Sequence, residues 1–173
     1  MTDPARIPDP IAAAARLPRG SAVVFRAFGA ADAVQQGRRL AAVARRRGLV
    51  LLTGADARLA IAIGADGVHL PERLAGRAGA VRRAHPCWLI TVAAHGEAAV
   101  RRARRQGADA VVISPVFESR SPSAGRALGP ARLANLVRLT TRPVYALGGV
   151  NGKTAARLMR TGAAGIAAVE ALA

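Results

Sequence analysis

Few side chains in this sequence could do chemistry, and they are scattered. There are three histidines, His69, His85 and His95, and one cysteine, Cys87. An imidazole is the side chain best suited to carry a proton near neutral pH. His95 follows an apolar run and stands just ahead of a helical pattern, where the ordinary reading is a histidine with a satisfied hydrogen bond and the other a proton carrier. His69 lies within a strand-like run, and His85 precedes Pro86 in a loop, where a solvated ring is expected. Cys87 has no second cysteine to pair with and no histidine cluster beside it, and is expected to be a small buried apolar residue. The pair Gly148-Gly149, followed by Asn151, ends another apolar run. Backbone amides there, with Asn151 capping a following helix, would suit an anion; the same glycines could equally serve a tight turn. Arg26 and Arg120 could make two-pronged contacts to phosphate or carboxylate.

The elements that must position these groups announce themselves through a recurring phrase. Gly64-Ala65-Asp66-Gly67-Val68, Gly107-Ala108-Asp109-Ala110-Val111 and Gly162-Ala163-Ala164-Gly165-Ile166 each follow a helical pattern and precede an apolar run. Each reads as a helix closed by a left-handed glycine and a strand buried on both faces. Filling in between these joints gives strands near Ala22–Arg26, Val50–Thr53, Gly67–Leu70, Leu89–Ala93, Ala110–Ile113, Val144–Leu147 and Gly165–Val169. The stretches Pro8–Leu17, Ala30–Arg47, Ala55–Ile63, Leu74–Ala84, Glu97–Gln106, Pro130–Thr140 and Asn151–Arg160 carry helical periodicity. Strict alternation of strand and helix implies a parallel sheet. Periodicity alone does not decide between an open doubly wound sheet and a barrel.

Size and charge bound the rest. At 173 residues the chain suffices for one domain, 1–173, burying roughly 70% of its unfolded surface. No apolar run reaches about 18 residues, and the start Met-Thr-Asp-Pro lacks the order of a secretory signal; a cytoplasmic protein with no membrane partner is expected. The formal charge is +16, from 26 basic residues of which only Lys153 is lysine. Arg38, Arg39, Arg45, Arg46 and Arg47 share one helical stretch and Arg101, Arg102, Arg104 and Arg105 another, which spreads the charge over outer helix faces. With only 3% aromatic residues there is little to stack on bases. Specific nucleic-acid binding is not expected, and non-specific attraction to polyanions at low salt is.

Three ordered segments carry a family resemblance: Leu59-Ala60-Ile61-Ala62-Ile63-Gly64-Ala65-Asp66-Gly67-Val68-His69-Leu70, then Ser114-Pro115-Val116-Phe117-Glu118-Ser119, then Ala146-Leu147-Gly148-Gly149-Val150-Asn151. In register from about Thr2 to Leu172, the chain resembles the thiamine phosphate synthase and thiazole tautomerase (TenI) family. The resemblance implies a (β/α)8 TIM-type barrel, here truncated in the first strand, of which Thr2-Asp3 are the last residues, and again after the last strand. The open seam that results calls for a cover, either an apolar strand encoded upstream or a partner subunit, so a homo-oligomer is expected to be possible.

The family's synthases let a pyrimidine pyrophosphate ionise with magnesium, and a thiazole phosphate nitrogen captures the cation. Magnesium is therefore the implied cofactor and a small phosphorylated thiazole the implied ligand. Carried over position by position, Arg26 keeps a family arginine, whereas the Gln and Lys that flank it are Val24 and Phe28. The Asn-Asp pair falls on Gly54-Ala55 and the second magnesium carboxylate on Leu74, with Glu72 two residues away, so the metal positions hold no oxygen side chain. A Ser-Thr-His phrase becomes Ala93-Ala94-His95. The hydroxyl-rich pyrophosphate loop survives as Glu118-Ser119-Arg120-Ser121-Pro122-Ser123 without its Lys. A Ser near the phosphate is Glu170, and the tautomerase histidine is Pro115. The expected site is thus His95 as catalytic residue, Arg26, Ser119, Gly148 and Gly149 as substrate contacts, and no metal ligand.

Overall fold

The computed structural model describes residues 1–119 and 125–169. Seven strands form one sheet: β1 (Ala22–Phe25), β2 (Val50–Gly54), β3 (Gly67–Leu70), β4 (Leu89–Ala94), β5 (Ala110–Ile113), β6 (Val144–Ala146) and β7 (Gly165–Ile166). All neighbours are parallel, in the order in which they occur along the chain. A doubly wound sheet must reverse its strand order at a switch point. Here the order never reverses, so right-handed crossovers keep every helix on one face and the sheet curls into a barrel wall. This is a TIM-type α/β fold lacking most of one strand.

The helices are α1 (Pro10–Arg16), α2 (Ala33–Arg47), α3 (Ala57–Ile63), α4 (Ala78–Ala84), α5 (Glu97–Arg105) and α6 (Gly129–Val137), with 3-10 turns at Glu72–Arg77 and Ala155–Leu158. Local chemistry sets their ends. Asp9 caps α1 by accepting from the amides of Ile11 and Ala12, with Pro10 in the first turn; Asp56 caps α3 through the amide of Leu59. Proline costs nothing where the amide has no helical partner, and an Asp side chain satisfies the orphan donors. The arginines named above on α2 and α5 are all exposed, as the periodicity requires. No helix among the described residues is long and apolar enough to cross a membrane.

The repeated phrase turns out to be a two-sided clamp. In its first copy Gly64 takes the left-handed conformation (φ 65°) that closes α3. Asp66 then uses both ends on Leu51: its amide donates to the Leu51 carbonyl at 2.8 Å, and its carboxylate accepts the Leu51 amide at 2.7 Å. Asp109 repeats this on Ile90, at 2.8 and 2.7 Å, and adds an ion pair with Arg82 at 2.5 Å. In the third copy Ala164 keeps the backbone half, donating to the carbonyl of Val144 at 2.8 Å, but has no carboxylate. β6 and β7, which this copy joins, are the shortest strands, at 3 and 2 residues.

Two layers of apolar side chains follow from strand alternation. Val23, Phe25, Leu51, Val68, Ile90, Val92, Val111, Ile113 and Val144 face the helices in one continuous core. The opposite face lines the barrel interior, with Val24, Leu52, Thr91, Val112 and Tyr145 around a cavity.

Three expectations need correction. The helix read over Asn151–Arg160 is only the 3-10 turn Ala155–Leu158. Asn151 Oδ1 accepts from the amides of Lys153 and Thr154, and Thr154 Oγ1 donates to the Gly149 carbonyl, so local side-chain bonds compete with helical ones. The stretch Leu74–Ala84 opens with the 3-10 turn before α4 begins at Ala78. Cys87 is exposed rather than buried: it sits in the turn after α4, between His85 and Trp88, whose rings stack at 3.7 Å.

Candidate active site at the strand C-termini

Because the strands are parallel, every strand end that the sequence flagged reaches the same rim. Going round it stand Arg26 after β1, Gly54-Ala55 at the end of β2, Glu72 after β3, His95 after β4, the Ser114–Ser119 loop after β5 and Leu147–Gly149 after β6. Barrels of this kind carry their chemistry on that face.

His95 has a partner there that sequence spacing did not assign. Its Nδ1 lies 2.7 Å from Glu72 Oε2, and its backbone amide donates to the same oxygen at 2.9 Å. An ionised carboxylate can only accept, so Nδ1 carries the hydrogen and Nε2 is left facing away from Glu72. The two side chains are 50% and 35% exposed, which keeps them within reach of a ligand arriving from solvent. The signal that could have paired them is topological: both residues follow the ends of adjacent strands, although 23 positions separate them.

Arg26 is held differently. Its Nε donates to the Thr2 carbonyl at 2.7 Å and its NH2 group to Asp3 Oδ2 at 3.2 Å, while its amide donates to Thr2 Oγ1 at 2.8 Å. The guanidinium also lies 5.0 Å over the Phe28 ring. Much of this arginine therefore ties residues 2–3 to the end of β1. That position agrees with Thr2-Asp3 as the top of a first strand.

Gly148 and Gly149 have φ of 93° and 64°. A Cβ at Gly149 would lie 2.3 Å from the Glu118 carbonyl, and one at Gly148 would lie 2.8 Å from Pro115 Cα. The loop after β5 leans on this pair, with the amides of Val116 and Phe117 donating to the carbonyls of Leu147 and Gly148 at 2.9 Å each. The turn thus needs both glycines on steric grounds, and it brings the Ser119 loop against them. In place of the α-helix expected beyond Asn151, with its dipole, stands the 3-10 turn Ala155–Leu158. Phe117 carries the Arg157 guanidinium over its ring at 5.0 Å. Arg120, Ser121, Pro122, Ser123 and Glu170 lie outside the described residues.

The described residues at the expected magnesium positions do not fit the ion. A side chain at Gly54 would meet Arg26 Cγ at 2.9 Å, Ala55 has only a methyl group, and Leu74 packs against the core. Among the described residues no group of three His, Cys, Asp or Glu side chains converges. Ala55 nevertheless keeps a left-handed backbone (φ 62°), the conformation that Asn and Asp tolerate best after Gly. Inside the barrel, His69 Nδ1 is 2.8 Å from Thr91 Oγ1. Burial, reinforced by the positive amino terminus and Arg26, lowers the His69 pKa to about 4, so it is a neutral structural ring.

Fold and rim together define the class: a parallel α/β barrel with its polar groups gathered at the strand C-termini. The model of the thiamine monophosphate synthase family matches residues 6–172, and the chain belongs to that family. It is 30% identical over 173 residues to the thiamine-phosphate synthase of Bacillus velezensis, covering 95% of this chain and 77% of that protein. A thiamine-phosphate synthase of Chloroflexus aurantiacus is 34% identical over 145 residues, 80% of this chain and 64% of its own length. A relative from Aquifex aeolicus is 33% identical over 111 residues, 64% of this chain and 59% of its own length, so the chain spans under two thirds of several curated relatives. Among solved structures, a thiamine phosphate pyrophosphorylase from Pyrococcus furiosus superposes with a TM-score of 0.82 at 24% identity, covering 97% of this chain and 82% of that one; this likeness concerns the fold.

Proposed function

We propose that this chain is a thiamine phosphate synthase-like protein of thiamine biosynthesis, acting in the cytoplasm, that binds a phosphorylated thiazole at the rim. The observation that carries this reading is the family match across residues 6–172, combined with a rim whose backbone still folds around the family's turn phrases. Arg26, Ser119 and the amides of Gly148-Gly149 are the groups assigned to the phosphate. The alkyl transfer implied by family would break the C–O bond between the pyrimidine's methylene carbon and its pyrophosphate, the pyrophosphate leaving with the electron pair, and form a C–N bond from that carbon to the thiazole nitrogen. Since the rim residues do not fit magnesium, none of these steps is routed through the ion. Calorimetric titration with thiazole phosphate tests the binding, and incubation with pyrimidine pyrophosphate, with and without magnesium, tests the transfer. Failure to bind either substrate would remove the proposal.

The Glu72–His95 pair supports a second reading, a magnesium-free isomerisation of the tautomerase kind. In it His95 Nε2 takes a proton from one position of a thiazole and returns it at another, while Glu72 holds Nδ1–H and steadies the imidazolium. Replacing His95 with Ala should lower a metal-free isomerisation by about 10²–10⁴-fold, and Glu72→Gln should lower it less. Unchanged turnover in the His95 variant would eliminate the assignment. Binding without any turnover would mark a ligand-binding relative that has lost the reaction.

A further inference from the structure

Phe28 stands where a phenylalanine is costly. Residues Ala27 to Ala30 make a tight turn, closed by the Ala30 amide donating to the Ala27 carbonyl at 2.9 Å, and its central residues Phe28 and Gly29 have φ of 49° and 79°. Turns with two left-handed central residues ordinarily take Asn, Asp or Gly at the first of them, because a larger L side chain crowds its own backbone there. Burial could offset that strain, yet Phe28 is 67% exposed. The ring is nevertheless held. Arg26 lies over it at 5.0 Å, and Arg26 is itself fixed by the Thr2 carbonyl and Asp3. A strained, exposed and clamped aromatic ring belongs to a binding surface rather than to a core.

The neighbours of the ring narrow what it can bind. Phe28 follows β1 on the rim, Gly54 and Ala55 stand at the end of β2, Glu72 follows β3 and His95 follows β4. With adjacent strands roughly 4.8 Å apart, the ends of β1 and β4 are separated by about 14 Å along the wall, room for a heteroaromatic ring with its substituents. Gly54 and Ala55 between them carry at most a methyl group, and the Arg26 stem crosses there, since a Cβ at Gly54 would come within 2.9 Å of Arg26 Cγ. Ala55 is also left-handed, at φ 62°, so the strained backbone at the ends of β1 and β2 is gathered in one place. A pyrophosphate arriving here would meet an apolar ring, a side-chain-poor floor and one guanidinium already engaged by Asp3.

We propose that Phe28 is the stacking platform for an uncharged heteroaromatic ring, and that this half of the rim takes the ring without a pyrophosphate. The proposal deepens the reading of the rim as the ligand-binding face and rests on it. Arg26 occupies one face of Phe28, and a flat ligand lies offset on the other, with the His95 imidazole across Gly54-Ala55 available to its polar edge. A protein partner would need far more apolar area than one ring supplies, whereas a small flat ligand needs only a π-face and a polar contact. A thiazole and a pyrimidine share this chemistry.

Calorimetric titration tests it with the thiazole alcohol, the aminopyrimidine alcohol, inorganic phosphate and inorganic pyrophosphate as probes. The wild-type chain is compared with Phe28→Leu, Phe28→Tyr and Phe28→Lys. These side chains are all unbranched at Cβ, so the turn is equally strained in each, and thermal unfolding checks that the variants fold. At least one alcohol should bind the wild type, and the one that does identifies the ring. Phe28→Leu and Phe28→Lys should weaken that binding by about five- to tenfold, Phe28→Tyr should keep it, and Phe28→Lys alone should gain affinity for pyrophosphate. Phosphate affinity should be the same in the leucine variant as in the wild type. Ring affinity unchanged by Phe28→Leu, or equal weakening of every probe, would overturn the inference while leaving the phosphorylated-thiazole reading in place. Absence of binding by either alcohol, or tighter binding of pyrophosphate than of both, would overturn it as well. Alcohol binding that depends on Phe28, in a chain that does not bind thiazole phosphate, would keep the platform and remove the phosphate reading.

Discussion

At the scale of single residues, two positions make sharp predictions. Ala55 sits at φ 62°, a region that costs a non-glycine L-residue roughly 1–2 kcal/mol, with Asn and Asp the least penalised. Ala55→Asn should therefore stabilise the protein by about 1 kcal/mol, seen as a rise of about 2–4 °C in thermal unfolding; Ala55→Val should lower it. His69 predicts the pH dependence. Its folded pKa of about 4 lies below the ordinary value near 6.5, so between these values the unfolded chain binds more protons and unfolding becomes easier as pH falls. Stability contributed by the neutral ring is complete above about pH 6.5 and is lost progressively down to about pH 4. A His69→Gln variant, which can still bond Thr91, should show a flatter fall in melting temperature across that window.

At the scale of elements, the Gly-Ala-Asp joint works by clamping the strand before it. Asp66 and Asp109 each accept a strand amide, and Ala164 leaves the third joint with half of that bonding. A hydrogen bond to an ionised group contributes about 1.5–3 kcal/mol. Removing one from the middle of the sheet by Asp66→Ala should lower stability by about that amount in urea unfolding. Introducing one by Ala164→Asp, with the carboxylate aimed at the Val144 amide, should raise it by about 1 kcal/mol and slow exchange in β6 and β7. Loss of stability in the Ala164→Asp variant would show that the third joint differs from the other two in more than its missing carboxylate.

For the whole molecule, the dominant quantity is the charge of +16. Its arginines cover the outer faces of α2 and α5, and the described ion pairs engage few of them, through Asp3, Glu97 and Asp109. Self-repulsion of this kind is screened beyond about 10 Å at 0.1 M salt. Melting temperature should rise between 20 mM and 300 mM sodium chloride, by about a few degrees, and retention on a polyanionic resin should fall steeply over the same range. Salt-independent retention would contradict a purely electrostatic attraction.

The sequence by itself determined the strands and most of the helices, because each is set locally: glycines that close helices, Asp9 and Asp56 that cap them, and apolar runs short enough to be strands. The rim was legible for the same reason, since parallel strands must bring Arg26, His95 and Gly148 to one face. Tertiary structure decided what these groups meet there. Glu72 reaches His95 across 23 positions, Arg26 is taken up with Thr2 and Asp3, and Gly148-Gly149 are crowded by the loop after β5. Exposure of Cys87 and the collapse of the helix beyond Asn151 likewise came from neighbours and local side-chain bonds that periodicity does not encode. The choice of barrel over open sheet belongs to both: the motifs suggested it, and an unreversed strand order, with a slot left between β1 and β7, gave it physical form. Side-chain contacts between distant segments depend on strand register and curl, and these exist only once the strands have paired and the sheet has curled.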